Sequence, residues 1–260
     1  MTFDIAATLH QLADAAERET LPRFRAPLDV RNKLASGFDP VTEGDRAAER
    51  AIRAILDRRH PGHAIIGEEF GTRTGAEDWT WIVDPIDGTR AFVSGLPVWG
   101  TLIGLYHEGR PHAGMMAQPF TRERYWSDGT GAWLTVGDAE PARLSTSGTE
   151  DLSAATLMTV DPHLFEGAEE RVWHRMRGEA RLTRYGCDCY AYAMVAAGHV
   201  DLVIETGMQI YDIAALIPII EHAGGIVTSW EGTSPAQGGR IIAAANRTLH
   251  AAALTAIAGA

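Results

Sequence analysis

The sequence predicts an α+β / α/β fold, two subdomains packed into one layered body, and three observations carry that prediction. The first half reads as helices followed by strands that form an antiparallel meander, whereas the second half alternates strands with helices. No linker rich in Pro, Gly or Ser separates the halves. We place the boundary so that 1–142 forms an N-terminal α+β subdomain with an antiparallel sheet and 143–260 a C-terminal α/β subdomain.

Each element has its own signal. Phe3, Ile5, Ala6, Leu9, Leu12 and Ala16 recur near a helical period, so the chain opens with an amphipathic helix over 3–19. A second helix follows "FDPVTEGD", with Ala48, Ile52, Ile55 and Leu56 on one stripe and "PGH" ending it. "HAIIG" and "WTWIV" are short apolar runs that read as strands. "VWGTLIGLYHEGRPHAGMMAQP" breaks at Glu108-Gly109, a hairpin signal, and "RERYWSDGTGAWLTV" reads as another pair. From about residue 143 strands ("AATLMTV", "RLTRY", "VDLVIE", "GIVTSW", "RIIAAAN") alternate with helices near 166–177, in "DIAALIPIIEHAGG" and in the final Ala-rich segment.

Composition excludes several function classes. The net charge of −11 argues against a nucleic-acid partner, because phosphate backbones are bound by clustered cations. No run of 18 or more uncharged apolar residues exists, and the N-terminus carries acids where a signal peptide would carry Lys or Arg. The expectation is a cytoplasmic protein with no membrane partner. Lys33 is the only lysine, so no Walker A loop is present and no other side chain could form a Schiff base. Cys187 and Cys189 are spaced for neither an easy disulfide nor a four-ligand zinc site, and read as small buried apolar side chains in a reducing compartment. The ten histidines, His60 and His63 among them, show no HExxH spacing and read as surface or structural.

Chemistry gathers instead around carboxylates that stand beside apolar runs or at helix starts: Asp45, Glu68 with Glu69, Asp84 with Asp87, and Asp212. Each also has a purely structural explanation. Thr42 and Asp45 are spaced like a capping box, Glu68 and Glu69 suit a solvated turn, and Asp212 suits an N-cap. Together they offer the hard oxygen ligands that Mg²⁺ demands. In "DPIDGT" the two carboxylates straddle a bend stiffened by Pro85, with the Ile86 carbonyl between them. Gly88 permits close backbone approach, and "TRAFVSG" can start a helix whose free N–H groups face an anion.

"GEE" at 67–69, "WIVDPIDGT" at 81–89 and "YDIAA" at 211–215 followed by "EHAGG" resemble the hallmarks of the Mg²⁺-dependent inositol monophosphatase-like phosphatases. Tyr211 stands where that family usually has Trp. The resemblance implies a layered αβαβα sandwich of the inositol monophosphatase / fructose-1,6-bisphosphatase type. It further implies that Glu68, Asp84, Asp87, Asp212 and the Ile86 carbonyl bind metal, with Glu69 behind them. Thr89, with Asp45 behind it, would orient the attacking water, and Gly88 and Thr89 would hold phosphate. The expected reaction is direct hydrolysis of a phosphate monoester with about two or three Mg²⁺ per site and no covalent enzyme intermediate. A homodimer and inhibition by Li⁺ are expected on the same basis.

Substrate choice falls to the second half. The segment matching "GCD" at 186–188 usually reads GTA in inositol phosphatases, so Asp188 adds a carboxylate, and Glu205 matches a family position that contacts substrate. Two acids near the leaving group favour a cation. A helix N-cap is the alternative for Asp188. The wider pattern, including "RLTRYGCDCYAYAMVAAGHVDLVIE", resembles the histidinol-phosphate phosphatase branch. That implies L-histidinol phosphate as substrate, with Asp87, Asp188, Glu205, Arg184 and Arg90 as contacts. Inositol-1-phosphate, a 3'-phosphonucleotide and a non-catalytic metal- or phosphate-binding regulator are the competing readings.

Overall fold

The computed structural model describes residues 3–27, 31–32 and 40–260. Lys33 lies outside them. The chain begins with helix α1 (Ile5–Thr20), a two-stranded ladder of β1 (Arg31–Asn32) and β2 (Pro40–Val41), and α2 (Glu43–Arg59). There follow β3 (Ala64–Gly67), β4 (Gly71–Arg73), β5 (Trp79–Asp87) and the short α3 (Thr89–Val93). A meander of β6 (Gly100–His107), β7 (Arg110–Gln118), β8 (Glu123–Ser127), β9 (Ala132–Val136) and β10 (Ala142–Arg143) completes an eight-stranded sheet in the order β10-β9-β8-β7-β6-β5-β3-β4.

The remainder contributes β11 (Thr156–Thr159), α4 (Ala168–Glu179), β12 (Leu182–Tyr185), α5 (Asp188–Ala196) and β13 (Leu202–Met208). It ends with α6 (Ile210–Ile213), α7 (Leu216–His222), β14 (Ile226–Ser229), β15 (Gly239–Ala244) and α8 (Arg247–Ala258). Its five strands form a second sheet in the order β12-β11-β13-β15-β14.

Strand alternation assigns the layers. On β6 and β7, Ile103, Leu105, Ala113 and Met115 pack with Leu9, Leu12, Ile52 and Leu56 of α1 and α2. Leu102 and Met116, one residue out of phase, pack on the other face with α5 and α7. That middle layer also meets Met158, Val203, Ile241 and Ala243 of the five-stranded sheet, whose opposite face (Leu157, Leu202, Ile204, Ile242) packs on Trp173 and Leu249 of α4 and α8. The period of two thus sends each strand's side chains to two different helical layers. The result is the αβαβα sandwich.

Local chemistry sets the element ends. Asp4 caps α1 by accepting the Ala7 N–H at 2.9 Å, and Thr42 with Asp45 forms a capping box on α2. Glu108 and Gly109 sit at φ of 50° and 74°, the left-handed conformations that a two-residue hairpin loop between β6 and β7 needs.

Three expectations need correction. The first sheet is not purely antiparallel, because β3 pairs with β5 in parallel while the short β4 folds back on the edge. "DPID" is not a free turn: β5 runs on to Asp87, and its ladder with β6 shifts register between Asp84 and Asp87. Such a bulge re-aims side chains without ending the strand. Cys189 is buried as expected, but Cys187 is only half-buried and stands as the N-cap of α5.

α6 and α7 sit very close to the first sheet. A Cβ built on Gly114 would lie 2.3 Å from the Ala215 carbonyl oxygen, and one on Gly104 would lie 2.8 Å from the Ala214 Cβ. Only glycine on β6 and β7 lets this backbone approach. That approach carries Asp212 to the bulged end of β5.

Candidate active site

Three chain segments converge at the bulge. Asp84 and Asp87 come from β5, Asp212 from α6, and Glu68 from the turn after β3. Ligand oxygens of Asp84, Asp87 and Asp212 all lie within 4.8 Å of one another, the one such group of three among the described residues. Glu68, Ile86, Gly88, Thr89 and Arg90 join them around a cavity of about 180 Å³.

The electrostatics of this cluster are repulsive. Asp84 is 3% exposed, and burial followed by the neighbouring Glu68, Asp87 and Asp212 pushes its carboxyl well above the ordinary range. Asp87 is raised likewise, by burial and then by Asp188 and Asp212. The donors present only fix orientation: the Ile86 N–H reaches Asp84 Oδ1 at 3.1 Å, the Cys189 N–H reaches Asp87 Oδ2 at 2.7 Å, and the Gln209 N–H reaches Asp212 Oδ2 at 2.7 Å. Carboxylate oxygens this crowded, their charged forms disfavoured by burial and by one another, fit a hard divalent cation.

Asp212 is not the N-cap of its helix. Gln209 caps α6, and Asp212 at the third position returns a bond to the Gln209 N–H. Asp188 is likewise the first residue of α5 and not its cap. Its φ of 41° is a left-handed conformation that Asp tolerates better than most residues. Opposite it stands Gly88, at φ 80°, where a Cβ would come within 3.0 Å of the Asp188 Cγ. Gly88 therefore satisfies both a backbone angle and a close contact.

Asp45 serves its helix and has an oxygen to spare. Its Oδ2 accepts the Thr42 N–H at 2.8 Å and the Thr42 hydroxyl at 2.7 Å, while Oδ1 is buried with no hydrogen-bond partner among the described residues. Burial moves this carboxyl up to about 6. The Thr89 hydroxyl donates to the Ile86 carbonyl at 3.0 Å. Glu69 pairs with Arg46 at 3.6 Å, so the "GEE" acids are not a solvated turn. Sequence reasoning missed Glu49, fully buried on α2, which accepts the Glu69 and Phe70 N–H groups at 2.8 and 3.2 Å and thereby sets that turn. Its position four residues after Asp45, on the same helix face, was the available signal.

A second cavity of about 330 Å³ shares Asp87, Arg90, Val160, Asp188 and Asp212 with the first, and continues to Leu164, Tyr192, Glu205, Thr206 and Met208. Burial raises Asp188 to about 6, opposed by Arg90. Burial raises Glu205 to about 8, although it accepts the Val160 N–H at 2.6 Å and the Thr159 hydroxyl at 3.1 Å. Of these two acids, Asp188 is thus raised less than Glu205 and has a cation, Arg90, beside it. Arg184 lies exposed on β12 and lines neither cavity.

The histidines are structural where they cluster. His63 Nδ1 accepts the Trp81 indole N–H at 3.0 Å, and His60 stacks on His63 with ring centroids 4.7 Å apart. No helix among the described residues is long and apolar enough to cross a membrane.

Comparison with known proteins agrees with this geometry. Residues 3–259 match the inositol monophosphatase family. A Mycobacterium tuberculosis protein named histidinol-phosphatase is 40% identical over 98% of both chains. An Arabidopsis thaliana protein named bifunctional phosphatase IMPL2, chloroplastic, is 40% identical over 96% of this chain and 73% of its own length. The solved structure of an inositol monophosphatase from Zymomonas mobilis, 38% identical, superposes with a TM-score of 0.85 over 97% of this chain and 96% of that one. The chain belongs to the inositol monophosphatase family and is a phosphoric monoester hydrolase.

Proposed function

We propose that the protein is a Mg²⁺-dependent histidinol-phosphate phosphatase, converting L-histidinol phosphate and water to L-histidinol and phosphate. The observation that carries the substrate is Asp188: a carboxylate lining a 330 Å³ cavity that shares its wall with the carboxylate cluster. Histidinol phosphate carries an ammonium group and an imidazole, which such a cavity attracts and a neutral polyol does not require. Both 40% identical relatives bear phosphatase names, one of them histidinol-phosphatase.

Family members are metal-dependent, and we assign Glu68, Asp84, Asp87, Asp212 and the Ile86 carbonyl as the groups that hold Mg²⁺. When bound, the ion supplies a nucleophilic water at neutral pH and offsets charge on the leaving oxygen. The chain's own residues do the rest. We assign Asp45, whose Oδ1 is buried with no hydrogen-bond partner among the described residues, as the group that takes a proton, and Thr89 as the residue that orients the water. Gly88 and Thr89, at the start of α3, offer backbone N–H groups to phosphate oxygens, and Arg90 adds a cation beside them. Asp188 holds the ammonium of the leaving group, and Glu69 braces the metal end through Arg46. This reading includes a cytoplasmic homodimer, which gel filtration would show at twice the 28.1 kDa chain mass.

Phosphate released from histidinol phosphate, inositol-1-phosphate and a 3'-phosphonucleotide in the presence of Mg²⁺ tests the assignment. Preference for histidinol phosphate is expected. Faster turnover of another ester would overturn the substrate, and no release from any would overturn the enzyme.

A further inference from the structure

The wall of the larger cavity includes a segment that metal chemistry does not use, residues 159–169 from the end of β11 to the first turn of α4. It is pinned at three places. At its start the Glu205 carboxylate accepts the Val160 N–H at 2.6 Å and the Thr159 hydroxyl at 3.1 Å. At its end the Thr206 hydroxyl donates to Glu169 Oε2 at 2.8 Å, in the first turn of α4. Between them Phe165 is 3% exposed and stacks on Trp173 with ring centroids 5.3 Å apart. Asp161 also caps the tight turn Pro162–Leu164 by accepting the His163 N–H at 2.9 Å.

Leu164 precedes the buried Phe165, yet it is 43% exposed and lines the cavity. A segment this firmly held has no freedom to bury Leu164 elsewhere. Together with Val160, Tyr192 and Met208 it gives the cavity an apolar part beside the acidic part formed by Asp188 and Glu205. Ligand sites commonly combine an apolar lining with a few placed polar groups. Glu205 differs from Asp188 in that both of its oxygens already receive donors from the segment.

We propose that Leu164 is a specificity wall, held by Glu205 and Thr206, that selects esters whose leaving group carries a flat or apolar body in addition to a cation. Glu205 is then a positioning residue for that wall and not the ligand of the cation. The cationic half of this statement rests on the histidinol-phosphate reading; the apolar half does not.

Kinetics of the full chain with Mg²⁺ on three esters separate the two halves: histidinol phosphate (ring and cation), p-nitrophenyl phosphate (ring, no cation) and phosphoethanolamine (cation, no ring). Leu164→Ala is expected to raise KM for both ring-bearing esters about tenfold, the scale of a lost apolar pocket contact, with kcat little changed. Preference for them over phosphoethanolamine falls by the same factor. Glu205→Ala should reproduce that pattern, Glu205→Gln should largely restore the wild type, and the double alanine variant should be no worse than either single one. An unchanged preference in Leu164→Ala overturns the wall, and a Glu205→Gln variant as impaired as Glu205→Ala overturns the positioning role. Because Leu164 lies at the surface, its alanine variant decides the matter even if Glu205→Ala fails to fold. Wild-type protein that ignores histidinol phosphate would sink the substrate reading alone, since the p-nitrophenyl phosphate arm still reads the wall.

Discussion

The two acidic regions that meet at Asp87 differ in how their charge is balanced. At the end of β5, Asp84 and Asp87 face Asp212 and Glu68, and their neighbours mostly add further negative charge. In the adjoining cavity Asp188 is opposed by Arg90, and Glu205 receives two donors. Desolvated like charges are costly in a folded protein unless something pairs them. The first region has the donor set of a cation site. The second has its own cation and donors, and in our proposal it adds selectivity.

The sharpest way to break this contrast is Asp84→Asn. It should lower kcat by two orders of magnitude or more, about the scale of losing one transition-state charge contact. Because the amide relieves repulsion at a buried site, the melting temperature in EDTA should not fall below that of the wild type. Phosphate release and thermal melting check both parts.

Asp45→Asn should cost on the order of 10²-fold in kcat, the scale of a lost proton acceptor. Wild-type activity should decline as pH falls through about 6, where Asp45 takes up a proton. Its folded value lies above the ordinary 3.8, so the folded state binds the proton more tightly. The contribution to stability is present below pH 3.8 and lost as pH rises through about 6. At pH 7 the variant should therefore be at least as stable as the wild type, which a melting curve would show.

A smaller effect is expected in the second region. Asp188→Asn should reduce the preference for histidinol phosphate over inositol-1-phosphate about tenfold, as loss of one charge contact to an ammonium would. The smallest effect lies away from both regions. Burial lowers His60 from 6.5 to about 4, so stability is full above pH 6.5 and lost as pH falls toward 4. His60→Gln should flatten that loss in melting curves taken between these values, while leaving the Mg²⁺ response intact.

Much of the fold was legible because periodicity reports burial directly. The stripe Leu9, Leu12 and Ala16 is buried against α2, and Glu108-Gly109 makes the expected hairpin. The parallel pairing of β3 with β5 was not legible, since neither "HAIIG" nor "WTWIV" encodes which neighbour it will meet. At the site, Glu68 of "GEE" and the residues Asp84, Ile86, Asp87, Gly88 and Thr89 of "DPIDGT" line one cavity with Asp212. What sequence could not supply were backbone donors, such as the Cys189 N–H on Asp87, and long-range partners such as Glu49. Arg184 shows the limit from the other side: adjacent in sequence to "GCD", it lies outside the cavities because it sits exposed on the edge strand β12.

Calorimetric titration of Mg²⁺ into the metal-stripped wild type, Asp84→Asn and Asp188→Asn tests the division most directly. Saturable binding is predicted for the wild type and for Asp188→Asn, with heat lost or strongly reduced in Asp84→Asn. Equal binding by Asp84→Asn and the wild type, or none by the wild type, would contradict a cation site at the end of β5.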